Sequence, residues 1–251
     1  SSWYDFKTRE VPNRVWVFFA PIGLTLTSLQ FYLGYLKGGT GFPVMWLFSF
    51  ALSAGISVAL FYIGFFGGAD AKALICLSIA LPVHPSLAHY YIEGITPFFP
   101  LATLTNAVLA SSLLVLAIIS HNLMQLVQGG GRMFEGLEAE PLWNKILAFA
   151  IGFKVDLDKL GKGSHYIPLE HFSRDEDGRL TRRLRISPRL EEESSQNSNQ
   201  WKDLSRQLDG RIWATPGLPF LVFITAGFVA ALFVGDFVTW LVTQLILFRG
   251  I

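Results

Sequence analysis

Between Val15 and Val127 the only charged residues are Lys37, Asp70, Lys72 and Glu93. A stretch so long and so poor in charge does not behave as an ordinary water-soluble domain; it folds where apolar side chains can meet lipid. Charge gathers instead in residues 128–215, which hold 14 of the 20 Lys and Arg and 14 of the 19 Asp and Glu. The chain-wide figure, 16% charged against roughly 25% in soluble domains, understates this contrast. The pattern implies a polytopic, mainly α-helical membrane protein with a small cytosolic α+β insert before its last span. The expected organisation is membrane helices over 1–127, the insert over 128–215 and a final transmembrane helix within 216–251. A net charge of +1 gives no reason to expect a nucleic-acid partner. The single cysteine, Cys76, excludes an internal disulfide and reads as a small apolar residue.

A bilayer-crossing helix needs about 20 mainly apolar residues. "VWVFFAPIGLTLTSLQFYLGYL" (15–36), with a kink expected at Pro21, meets that requirement. So do "VMWLFSFALSAGISVALFYIGFF" (44–66) and "LATLTNAVLASSLLVLAIISHNLMQLV" (101–127). In the second, Ser53, Ala54, Gly55 and Ser57 suit close helix packing. Residues 70–82 are short for a crossing and are expected among other helices. Residues 218–248 are expected as one last span, longer than a crossing requires. Lys7, Arg9 and Arg14 precede the first of these spans, whereas 83–100 carries neither Lys nor Arg. The positive-inside rule therefore puts the N-terminal segment and the insert in the cytosol. Within the insert, "EPLWNKILAFAIG" (140–152) predicts a helix stopping at Gly152. Its apolar side (Leu142, Trp143, Ile146, Leu147 and Phe149) is suited to a membrane surface. "FKVDLDKL" and "LTRRLRIS" alternate as strands do, and "EEESSQNSNQ" (191–200) reads as a loop.

An ionisable side chain at membrane depth is a functional candidate by default. Asp70 is the strongest, in "GFFGGADAKAL", where Gly67 and Gly68 permit positive φ and a close backbone approach. The stretch alone supports two roles. Asp70 is either a reactive carboxylate near a helix N-terminus or a cap for backbone N–H groups. Asp5, in "SSWYDFKTREVPN", changes the weighing. If a helix runs upstream of it, Asp5 sits at that helix's cytosolic end, at the depth of Asp70. Two carboxylates meeting there share one proton, leaving an acid and a base able to direct water at a peptide carbonyl.

"WYDFKTREVPNRVW" together with "GFFGGADAKAL" resembles the archaeal preflagellin and prepilin peptidases, polytopic aspartyl proteases of the GxGD type. The resemblance extends through "RMFEGLEAEPLWNKILAFAIGFKV" and "HYIPLEHF" to "WATPGLPFLVFITAGFVAALFVGD". It implies Asp5 and Asp70 as the catalytic pair, supported by the backbone of Gly67, Gly68 and Ala69, with no metal and no cofactor. The second motif glycine is Ala69 here. An apolar span upstream of Ser1 is expected on the same ground, and without it Asp5 is expected to be poorly fixed. The implied substrates are the signal peptides of archaellins and type IV pilin-like precursors, cut at the cytosolic face of the cell membrane. Lys72 is a candidate headgroup or substrate contact. Glu135, Glu138 and Glu140 are candidates for steering a basic substrate segment, or simply complement a helix N-terminus.

Asp236 is expected near the outer interface, and His84, His89 and Glu93 have spacing too loose for a metal site. His121 and Asn122 read as packing residues. The competing class is a proton-coupled transporter using Asp70 and Asp236. Inverted repeats would favour it, and the sequence has none that can be recognised.

Overall fold

A computed structural model of the chain describes residues 2, 11–36, 41–85, 96–128, 133–157, 166–174, 180–185, 211–217 and 220–249. Asp5, His89, Glu93 and the 191–200 segment lie outside these. The described residues are mostly helical, with a small sheet region before the last helices. The chain divides into two units, residues 1–112 with 219–251, and residues 113–218.

In the first unit, α1 (Asn13–Leu36) and α2 (Phe42–Ile63) are long and apolar enough to cross a membrane, as is α4 (Phe99–Gln128), whose first half belongs here. Helix α1 runs unbroken through Pro21. Outward-facing Phe18, Tyr32 and Phe48 are each at least 60% exposed, the pattern of a surface solvated by lipid. Helix α2 ends on Gly64, whose φ of 91° is the left-handed conformation that glycine adopts without strain. There the Gly64 amide donates to Phe61 O (3.0 Å) and the Phe65 amide to Leu60 O (2.9 Å), satisfying carbonyls that the helix end leaves open.

Helix α3 (Gly68–Ala80) has 13 residues, about 20 Å at 1.5 Å per residue, and cannot cross alone. It packs against α1 and α2. Carbonyls at and just past its C-terminal end find donors on those neighbours: Thr27 Oγ1 to Ile79 O (2.7 Å), Trp46 Nε1 to Ile79 O (3.2 Å) and Ser49 Oγ to Pro82 O (2.7 Å). In lipid those groups have no water to turn to, so the hydroxyls and the indole replace it. At its other end Phe66 and Leu74 join Ala107, Leu221 and Ile224 in one buried cluster.

The last span differs from expectation. It is two helices, α6 (Phe220–Phe233) and α7 (Phe237–Arg249), bent by 64° across Val234–Asp236. Gly235 turns the chain at φ 105°. Asn106 of α4 then bridges the break, donating to Gly235 O (2.9 Å) and accepting from the Phe237 amide (3.2 Å). Asp236 caps α7 by accepting the Thr239 amide at 3.0 Å, and takes hydroxyl bonds from Thr239 and Thr105. Every polar group exposed by such a break needs a protein partner, and one asparagine supplies two of them. With the bent pair counted as one, the described residues hold four candidate spans.

The second unit contains the C-terminal half of α4, helix α5 (Leu142–Ile151) and five short strands. Strands β1 (Phe153–Asp156) and β2 (Tyr166–Pro168) flank β5 (Arg211–Pro216), all antiparallel, while β3 (Glu170–Arg174) and β4 (Leu180–Leu184) form a separate pair. Trp213 lies at the centre, fully buried against Met133, Leu137, Ala148, Leu169 and Leu184. Phe149 turns inward toward it, so the helix face suited to a membrane is smaller than the sequence suggests. Asn122 of α4 donates to Phe149 O (2.8 Å) and Gly152 O (2.6 Å), tying the end of α5 to α4.

Where α4 and α6 cross, a Cβ added at Gly227 would lie 2.3 Å from Thr103 O and 2.6 Å from the Ala107 amide nitrogen. Both contacts are backbone and cannot yield locally. Gly227→Ala is expected to lower stability by about 1–3 kcal/mol, the range for overpacking. Gly34→Ala, at a site with nothing within 4 Å, is expected to leave it unchanged or slightly raised. Thermal unfolding of both purified variants in one detergent checks the pair.

Candidate active site

Asp70 occupies the third position of α3 and is 8% exposed. Its Oδ2 accepts the Gly67 amide at 3.1 Å, so the carboxylate closes over the start of its own helix. Both sequence roles are thus compatible: the side chain caps the N-terminus and is held in one orientation by doing so. Next to it, Lys72 Nζ donates to Asn13 Oδ1 (2.7 Å) at the first residue of α1. This bond joins the start of α3 to the start of α1. Asn13 has no sequence signal beyond its place in a Pro-Asn turn, and the pairing spans 59 residues.

The glycines act differently from expectation. Gly67 is extended, with φ −70° and ψ 158°, and Gly68 lies inside the helix. The reversal of direction occurs earlier, at Gly64, because that is where α2 ends. What Gly67 contributes is space: a Cβ there would sit 3.2 Å from Asp70 Oδ2. Ala69 is in the first turn of α3, where ordinary helical angles apply and alanine is favoured over glycine. The replaced motif glycine therefore imposes no backbone strain.

Of the other candidates, Glu138 accepts the Gly136 amide (3.0 Å), and that bond holds its carboxyl below the usual carboxylate range. Glu140 accepts from Asn144 Nδ2 (3.1 Å) on α5, and Glu135 is exposed. His84 packs edge-on against Phe99. Asp236 is wholly buried in the cap of α7. The sequence sets out Asp236 as an isolated charge and does not reveal its brace, Asn106. The available signal is a lone amide inside the apolar run "LTNAVL".

Two family models match the chain: the Type IV leader peptidase family over residues 1–120, and Archaeal Peptidase A24 C-terminus Type II over residues 144–237. The chain belongs to the type IV leader peptidase family. It is accordingly a peptidase, and its apolar helices make it a membrane protein. Among relatives, the preflagellin peptidase of Methanococcus voltae is 26% identical over 92% of this chain and 89% of its own length. That of Methanocaldococcus jannaschii is 23% identical over 94% and 89%, and that of Methanococcus maripaludis 22% over 92% and 89%. No solved structure matches the chain.

Two substitutions separate space from backbone freedom at this peptidase's candidate site. Gly67→Ala suits the observed φ and ψ but pushes on the Asp70 carboxylate. The carboxylate must give by a few tenths of an ångström, so cleavage is expected to fall by up to about 10-fold, with thermal stability little changed. Ala69→Gly is expected to remain active, losing at most about 1 kcal/mol of stability. Precursor cleavage assays alongside thermal unfolding measure both.

Proposed function

We propose that this peptidase removes the signal peptides of archaellin and type IV pilin-like precursors at the cytosolic face of the membrane, using water activated by Asp5 and Asp70. The observation that carries the proposal is the buried, oriented carboxylate of Asp70 at the start of a short helix clamped among membrane spans. The relatives' name, preflagellin peptidase, supports the substrate class. The chain on either side of Asp5 supports its partnership with Asp70. Ser2 Oγ donates to Leu221 O (3.4 Å) and pairs with the Thr225 hydroxyl, while Val11 packs on the cluster holding Phe66, Leu74 and Leu221.

In the proposed reaction one carboxylate takes a proton from water as the oxygen adds to the scissile carbonyl carbon. The other, protonated, donates to the carbonyl oxygen. The tetrahedral intermediate then collapses: the C–N bond breaks, the leaving nitrogen takes up the proton held by the first carboxyl, and a hydroxyl of the intermediate returns its proton to the second, which restores the pair. No covalent enzyme intermediate forms. Lys7, Arg9 and Arg14 beside the first described span favour the cytosolic orientation, which puts the cut at the water boundary. A basic leader segment would remain outside while its apolar helix enters between spans. The transporter alternative has no support among the relatives, which are named preflagellin peptidases.

Asp5→Asn and Asp70→Asn, made separately, are each expected to lower precursor cleavage at least about 100-fold while the protein still accumulates in the membrane. Gel-shift processing of a co-expressed precursor, with membrane fractionation, measures both. Cleavage near the wild-type rate by either variant removes the dyad.

A further inference from the structure

Helix α5 presents an inverted pattern for a helix surrounded by water. Leu142, Trp143 and Ile146 are 77%, 67% and 56% exposed. At about 100° per residue they share, with Leu147 and Ala150, one arc of about 140° that contains no polar side chain. The helix's polar residues are engaged locally: Asn144 donates to Glu140, and Lys145 Nζ to Glu138 O (2.9 Å). Its remaining apolar residues, Ala148, Phe149 and Ile151, belong to the core around Trp213. The outer face is therefore a continuous apolar strip on a folded unit whose own core is already filled.

A neighbouring surface in the same unit indicates what covers it. Helix α4 is 30 residues long, about 45 Å, and exceeds a hydrocarbon core of about 30 Å by enough to reach the headgroup layer. Its last turns still expose large apolar side chains, Leu123, Met124 and Val127 at 49%, 62% and 83%, beside exposed Ser120, His121 and Gln128 of the kind that meets headgroups. Asn122 binds the carbonyls of Phe149 and Gly152, which fixes the C-terminal end of α5 beside α4. That anchor is six residues, about 9 Å, from the end of α4. A helix held at this level lies at the boundary between hydrocarbon and headgroups. An exposed tryptophan beside two aliphatic side chains is the composition that such a boundary favours.

We infer that α5 is an interfacial membrane anchor: Leu142, Trp143 and Ile146 lie in the headgroup–acyl boundary of the bilayer, alongside the C-terminal end of α4. The lipid-facing surface of α4 thus continues onto the insert. The strip recognises lipid by apolar burial, and no particular headgroup is required.

The test uses the full chain reconstituted in phosphatidylcholine vesicles. Seven tryptophans contribute fluorescence, so the Trp143 signal is the difference between wild type and Trp143→Phe, with Trp143→Tyr as a second subtraction. The expected result is a clear loss of that difference signal in lipid brominated just below the headgroup. A smaller loss is expected in lipid brominated at the chain ends, and little from aqueous iodide. Quenching by iodide with none from brominated lipid would put the face in water and overturn the inference. Protection from both quenchers would mean that protein covers it, and would overturn the inference equally. This readout is independent of peptidase activity.

Discussion

In a bilayer, each backbone N–H and C=O that a helix leaves open must find a partner in the protein, and the first unit is arranged around that constraint. Helix α3 makes the demand acute, because it is too short to cross and both its ends lie among apolar spans. Thr27, Trp46 and Ser49 meet it at the C-terminal end. Asp70 itself meets part of it at the N-terminal end, through the Gly67 amide. The side chain proposed for catalysis is thus also one that completes its own helix. Its orientation follows from the fold and does not wait for substrate.

The described structure holds three buried carboxylates, and their surroundings separate them. Glu170 accepts the Trp213 amide (2.8 Å) and both arms of Arg182 (2.9 and 3.1 Å), a paired charge inside a small sheet domain. Asp236 is enclosed by an amide and hydroxyls at the break between α6 and α7. Both act as structural ties, and removing either acid would leave buried donors without acceptors. Asp70 differs in position: it lies in the first turn of a short helix packed among apolar spans, its carboxylate held by a single backbone amide of the preceding turn among the bonds described.

Much of this was legible in the sequence for a physical reason. Apolar runs long enough for a bilayer identify α1, α2 and α4, and a charge inside such a run singles out Asp70. The strand alternation of "FKVDLDKL" and "LTRRLRIS" marks β1 and β4. Features that depend on pairings distant in the chain were not legible. Asn106 and the Gly235–Phe237 break meet across about 130 residues, so the last apolar run reads as one helix although it is two. Glycine freedom was assigned to Gly67 and Gly68, whereas the positive φ falls at Gly64, because the end of α2 sets the turn. The tie from Lys72 to Asn13 is hidden in the same way.

The central claim is that Asp5 and Asp70 form one catalytic centre. Its most direct measurement is the distance between the two carboxyl groups in a structure of the full-length protein in lipid with a precursor signal peptide bound. The account predicts carboxyl oxygens in direct hydrogen-bond contact or bridged by a single water, with the scissile carbonyl beside them. A separation too large for one water to span, with substrate seated, would contradict it.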